Sequence, residues 1–242
     1  MELPLRVSLD EMLSQVELSP PTKVLFEGGG GGAISSYVAG WMASHRIDVI
    51  VLDGANRFDP YAVSSFARKE SISPESLLKR IRIARAFTCY QMATLMGEKL
   101  KSAIAQAQKP WVILLGPITT FLDEDVPERK VRPLLERSLR KVEILAEEGV
   151  PFFLFQALIP SHSKRAYLMK RLFHFAHLVL RINVDDEGPK VTLEKGLIEN
   201  NLQHRCPTDE SEISVSKKLK LPYYIPLLPQ KGGQGDIGDH TF

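Results

Sequence analysis

Cysteine is nearly absent from this sequence: Cys89 and Cys206 are the only two in 242 residues. Two distant cysteines cannot staple a small disulfide scaffold or fill a cysteine-rich zinc module, and they fit a reducing compartment. A cytoplasmic location is therefore expected. No apolar run approaches the roughly 18 residues of a membrane span, so no membrane partner is expected. Met1-Glu2-Leu3-Pro4 also lacks the charged start and apolar stretch of a secretory signal. Charge of one sign is missing too. Thirty-one basic against 29 acidic residues leave +2, which excludes a histone-like DNA binder or an acidic tail protein. The six histidines show no metal-ligand spacing, since His174 and His177 lie three apart with no carboxylate or cysteine near in sequence. No metal site is expected. Nor is there a catalytic pair: Asp185, Asp186 and Glu187 fit a solvated turn, and adjacency of Ser161 to His162 does not make a triad. What remains is an ordinary globular composition, 44% hydrophobic and 25% charged, on a chain long enough for a real core.

Short apolar runs ending in glycine or polar residues recur at 23–26, 47–53, 111–115 and 150–155. Apolar on both faces, they predict buried parallel strands. Helical periodicity lies between them. Leu135, Leu139, Val142 and Leu145 recur at three and four, with Gly149 and Pro151 as the stop. Residues 88–108 carry Met92, Leu95, Met96, Leu100 and Ile104 at helical spacing. Residues 80–85 alternate as a half-exposed strand would, although a helix continuing from Pro74 fits as well. Residues 178–184 and 191–194 predict a hairpin. The expected fold is α/β, a mostly parallel sheet flanked by helices with an antiparallel C-terminal hairpin. One domain is expected over residues 1–200, an extension packing on or near it over 201–230, and a flexible tail over 231–242.

The segment most suited to chemistry is the glycine run Gly28, Gly29, Gly30, Gly31 and Gly32, followed by Ala33-Ile34-Ser35-Ser36. It joins a strand to a helix. Glycines let backbone N–H groups converge on an anion, and the helix start adds its positive dipole end. A plain flexible turn is the bland alternative. Two templates fit. In G-x-x-x-x-G-K-[ST], Gly28 is the first glycine, Ala33 takes the second glycine's place, Ile34 replaces lysine and Ser35 is retained. In G-x-G-x-x-A, Gly28, Gly30 and Ala33 match, and Asp53 supplies the acidic residue about 20 positions on. Locally the second template matches better, and it would make the chain a dinucleotide- or methyl-donor-binding enzyme.

The order of motifs along the whole chain points to the first. Ser8-Leu9-Asp10-Glu11-Met12-Leu13, the glycine loop, Asp53 with Phe58 and Pro60, Ile83-Ala84-Arg85-Ala86-Phe87, Leu154-Phe155-Gln156, and Ala176 to Arg181 with the hairpin follow one another over roughly residues 8–196. In this order the chain resembles the RecA/RadA recombinase ATPase core, the family that polymerises on DNA and catalyses strand exchange. The resemblance implies a P-loop NTPase core without the recombinases' separate N-terminal domain. It also implies a vestigial nucleotide- or phosphate-binding set of Gly28, Gly29, Gly30, Gly31, Gly32, Ser35, Asp53 and Gln156, with a nucleotide or phosphate as candidate ligand. The departures bear on activity. Ile34 stands where the phosphate-binding lysine belongs, Ala55 where the catalytic glutamate belongs, and Gly116-Pro117 where the metal-linked aspartate and serine belong. Hydrolysis needs charge neutralisation, a metal ligand and an oriented water. The expectation is a degenerate, non-hydrolysing paralogue with no catalytic residue.

Such a paralogue would keep DNA contact and assembly, as a homo-oligomer or with an active recombinase-type ATPase. Residues 161–181 hold no acid and present His162, Lys164, Arg165, Lys170 and Arg171 where the family carries a DNA-facing loop. Lys164, Arg165, Lys170 and Arg171 are the candidate DNA-binding residues, with Tyr167 a candidate stacking group. A solvated helix face would explain the same run. Arg129, Lys130 and Arg132 follow Asp123, Glu124, Asp125 and Glu128, a mixture that fits an interface or a helix start better than DNA. A scaffold binding neither nucleotide nor DNA is the third reading.

Overall fold

The structure, a computed structural model, describes residues 23–185 and 188–195. The lead-in at Ser8 to Leu13, Asp186 and Glu187 of the hairpin turn, Cys206, and the expected 201–230 extension and 231–242 tail lie outside the described residues. Strands and helices alternate: β1 (Lys23–Gly28), α1 (Gly31–Ser44), β2 (Asp48–Asp53), α2 (Pro60–Lys69), α3 (Pro74–Leu78) and β3 (Ile81–Arg85). Then come α4, β4 (Pro110–Leu115), α5 (Glu128–Glu147), β5 (Phe152–Gln156), α6 (Ala166–Phe175), β6 (Leu178–Asp185) and β7 (Gly188–Lys195). Helix α4 is built from Cys89–Thr94, a wide π turn at Leu95–Lys99, and Leu100–Ala105. Its buried residues Met92, Met96 and Leu100 are spaced by four. That interval overruns the 3.6-residue repeat, and the wide turn takes up the drift.

Together they form an α/β fold around one seven-stranded sheet of order β3-β2-β4-β5-β1-β6-β7. Six strands run parallel and β7 returns antiparallel on β6. Residues 80–85, which the sequence left between strand and helix, form edge strand β3. Right-handed crossovers decide which face each helix covers. The steps toward β3, through α1, α2 and α3, place those helices on one face with Val24, Phe26, Val49, Val51, Ile113 and Phe153. The return steps, through α4, α5 and α6, place theirs on the other with Leu25, Ile50, Val112, Leu114 and Leu154. The strands therefore bury both faces, as their unbroken apolar runs require.

Aromatic rings lock the first face. Phe153 meets Phe26 and Trp111 edge-on, at 5.6 and 5.4 Å between centroids, and Phe26 stacks on Phe155 at 4.6 Å. Such pairs add to the burial of apolar area itself. Phe153→Ala is expected to cost about 3–5 kcal/mol of unfolding free energy, read as a lower urea midpoint with the slope unchanged.

Candidate functional site at the carboxyl edge of the sheet

Helices α1 and α6, which follow the neighbouring strands β1 and β5, leave for opposite faces. In open α/β sheets, ligands bind in the crevice at such a divergence, beyond the carboxyl ends of the strands. The predicted residues meet there: Gly28 ends β1, Asp53 ends β2 and Gln156 ends β5. The structure places the set at one edge of the sheet, where several strand ends pack closely on neighbouring backbone.

Only Gly29 and Gly30 separate β1 from α1. The four-residue interval of the P-loop template is thus a two-residue turn followed by the first turn of the helix. Gly28 has φ +128°, and a Cβ on it would sit 2.1 Å from the carbonyl oxygen of Ile182. Gly29 gives its N–H to that same oxygen at 3.3 Å. Gly30 caps α1, and Gly31 begins it. A Cβ on Gly32 would lie 2.7 Å from the Arg57 carbonyl oxygen. The run is glycine at these two contacts because backbone from β6 and from the β2–α2 loop presses against it. Ile34, in the lysine position, is turned into the core.

Each remaining candidate already has its partners. Ser35 is fully buried and donates its hydroxyl to Gly32 O at 2.9 Å, a contact within the start of α1. Asp53 is fully buried. Its Oδ1 accepts the N–H groups of Ala55 and Arg57, both at 3.2 Å, and its Oδ2 that of Phe58 at 3.0 Å. Arg85 lies 3.6 Å from Oδ2. Three of a carboxylate's roughly four acceptor positions are thus taken within the chain, and the group is shut off from solvent. Asp53 shapes the β2–α2 loop instead. Gln156 accepts from Ile118 N at 3.3 Å and donates to Ala157 O at 3.1 Å, tying the end of β5 to the segment after β4.

The positions that lack catalytic groups are packed against one another. Gly54 N donates to Leu115 O at 2.8 Å and Gly116 N to Phe155 O at 2.7 Å. A Cβ on Gly116 would stand 2.6 Å from the Ala55 Cβ. An aspartate at 116 could not enter without parting these strand ends. The residues present therefore do not fit a metal-bound nucleoside triphosphate. Among the described residues there is also no cluster of three metal-ligating side chains.

The basic segment divides in the same way. Arg165 is buried, and its guanidinium donates to the carbonyl oxygens of Phe121 at 2.6 Å, Asp123, and Val126 at 2.5 Å. This corrects its reading as a DNA contact: it ties the segment after β5 to the segment after β4. Arg171 forms a bidentate pair with Glu136 at 2.7 and 2.9 Å. Lys164 and Lys170 are exposed, as is His162. Tyr167 packs against the second core cluster with its hydroxyl enclosed, and burial pushes its phenol pKa up, so it is no open stacking platform. Cys89 is buried, which raises its thiol pKa, and it is inert.

The sequence reading missed two charges on β1. Lys23 pairs with Glu143 beneath the Phe175 ring, and Glu27 pairs with Arg181. Both are buried, and both side chains sit on the α6 side of the strand, opposite Val24 and Phe26. It also missed apolar side chains left exposed along the edge of the sheet. Phe87 is 67% exposed, and Ile83 and Tyr90 are exposed near it in the chain on and after β3; Tyr61, on α2, is 82% exposed. The alternation at 80–85 was the available signal.

The strand order differs from the 3-2-1-4-5-6 order of the dinucleotide enzymes, because β4 and β5 lie between β1 and β2. Compared with known proteins, the chain matches no family model and no curated sequence. Among the described residues no helix is long and apolar enough to cross a membrane.

Asp53→Ala and Arg165→Ala are each expected to cost about 2–4 kcal/mol, by leaving buried backbone groups unpartnered. Lys164→Ala should stay within about 0.5 kcal/mol; chemical denaturation checks all three. The Arg171 guanidinium also holds Glu136 below the usual carboxylate range. Its contribution is therefore present above the ordinary carboxylate pKa and lost as pH falls through the lowered value. Both partners are more than a third exposed, so Glu136→Gln should cost no more than about 1 kcal/mol at neutral pH, with the difference from wild type vanishing in acid.

Proposed function

We propose that the chain is a non-hydrolysing, RecA/RadA-like accessory protein of DNA recombination or repair, a P-loop-type core that acts through assembly and nucleic-acid contact. The packed strand ends carry this reading. A strand, a glycine turn and a helix sit at the divergence where a nucleotide would bind, yet Gly28 and Gly32 lie against the backbone of Ile182 and Arg57, and the carboxylate of Asp53 is bonded within the chain. The same facts weigh against the enzyme alternative, since Asp53 is fully buried with three backbone donors on it and the strand order is not that of the dinucleotide enzymes.

Assembly is supported by the other end of the sheet. Among the described residues β3 is an edge strand. The arginines on and just before it each have a partner within the chain. Arg80 pairs with Asp48, Arg82 caps the end of α4 at Gln106 O, and Arg85 reaches Phe58 O. Ile83, Phe87 and Tyr90 are left exposed along and just beyond the strand. An unpaired edge next to exposed apolar side chains suits strand addition by a second copy or by an active ATPase of the same fold.

Purified protein should show ATP turnover at background, with no change on Ser35→Ala. Light scattering, alone and with a RecA-type ATPase, should show a complex that Phe87→Glu with Tyr90→Glu dissolves while the melting temperature is retained. Turnover abolished by Ser35→Ala would refute the lost chemistry, and a monomer under both conditions would refute the assembly.

A further inference from the structure

Helix α5 carries charge that the crevice does not use. Its inner side, with Val131, Leu135, Ser138, Leu139, Val142, Leu145 and Ala146, is buried. Arg129, Lys130, Arg132, Arg137, Arg140 and Lys141 are all exposed. Residues 128–141 contain only two acids, Glu128 and Glu136, and Glu136 is held by Arg171. At 100° per residue, Arg129, Lys130, Arg137, Arg140 and Lys141 fall within an arc of about 120°. None of the five makes an ion pair among the described residues, and Arg137 reaches only the Pro133 carbonyl oxygen, at 3.4 Å.

A solvated face usually mixes both signs. Here Arg137 and Lys141 stand at i, i+4, and Arg137 and Arg140 at i, i+3, like-charge spacings that destabilise a helix. Most other basic side chains around the crevice and along β3 have partners inside the fold, as Arg80, Arg85, Arg165 and Arg181 do. The α5 row stands apart from these.

We infer that the outer face of α5 is a docking surface for the phosphate backbone of double-stranded nucleic acid. This rests on the nucleic-acid part of the proposed function, and it moves the contact from the segment after β5 to this helix. The cations of this face form two groups, 129–130 and 137–141, whose centres are about 14 Å apart along the axis. That matches the roughly 12 Å width of a major groove, so each group can meet one of its two backbones. Exposed Lys170 on α6 adds a cation on the neighbouring helix, while the groove of about 490 Å³ beside Arg140 is of mixed charge, with Glu136 and Glu143 paired to Arg171 and Lys23. Glu147 and Glu148 bound it at the end of the helix.

The test is anisotropy titration of the full chain on a fluorescent duplex of about 30 base pairs, across a salt series. It compares Arg137→Glu/Arg140→Glu/Lys141→Glu with Lys164→Glu/Lys170→Glu. The α5 variant should lose tenfold or more in affinity, and its salt slope should fall by about 2–3; the second variant should lose less than about threefold. If charge reversal disturbs the far-UV signal, Arg137→Gln/Arg140→Gln/Lys141→Gln is measured with the same direction expected. An unchanged α5 variant beside a crippled second one would overturn the inference and leave nucleic-acid binding standing. Binding to a single strand alone, or to polyglutamate but not the duplex, would overturn it as well. Wild-type protein that binds no nucleic acid at all would remove both the inference and the reading beneath it.

Discussion

The close approach of backbone at the carboxyl ends of β1, β2, β4 and β5 is the constraint on which the candidate site depends. Gly28 against Ile182, Gly32 against Arg57, and Gly116 against Ala55 each leave no room for a larger side chain. A lysine at 34 would point into the core, and any side chain at 116 would meet the Ala55 Cβ. Larger residues at these two positions would therefore add strain.

Charge in this fold follows a rule that separates structural from available cations. Arg165 satisfies three carbonyl oxygens in a segment that has left its strand and not yet begun α5. Arg82 does the same for the end of α4. Lys23 and Arg181 each face a carboxylate across the α6 side of the sheet. A buried cation is tolerated only when so paired, and its partners mark it as part of the scaffold. By the same measure, the exposed and unpaired row on α5 is free to meet an outside anion.

Much of the fold was legible in the sequence because burial on two faces leaves short apolar runs, and those at 23–26, 47–53, 111–115 and 150–155 all lie on parallel strands. The helix stop at Gly149 was legible too, since its φ of +95° suits glycine. The start of α5 was legible only in its charges: the acids and bases at 123–132 fit a helix start, and the helix begins at Glu128, although its apolar repeat was read only from Leu135 and it runs through Pro133. Arg165 was read as surface because its partners are carbonyl oxygens 39 to 44 residues upstream, and a backbone acceptor leaves no trace in residue type. The glycine run misled for a related reason. Sequence shows that glycine is tolerated there, but not whether the space it frees is taken by a ligand or by Ile182 and Arg57.

Packing the strand ends closely also has a consequence for control. In an active ATPase the strand ends would part and close around a phosphate, and the loops beyond them would move with it. Here Gln156 ties the end of β5 to the turn after β4, and Arg165 ties the two following segments together. With both bridges inside the chain, no bound nucleotide is needed to hold these loops in one arrangement. An accessory subunit built this way would present its sheet edge and its basic helix constantly. Timing would then come from the partner or from the nucleic acid, because a ligand can shift only an equilibrium between states that it binds differently.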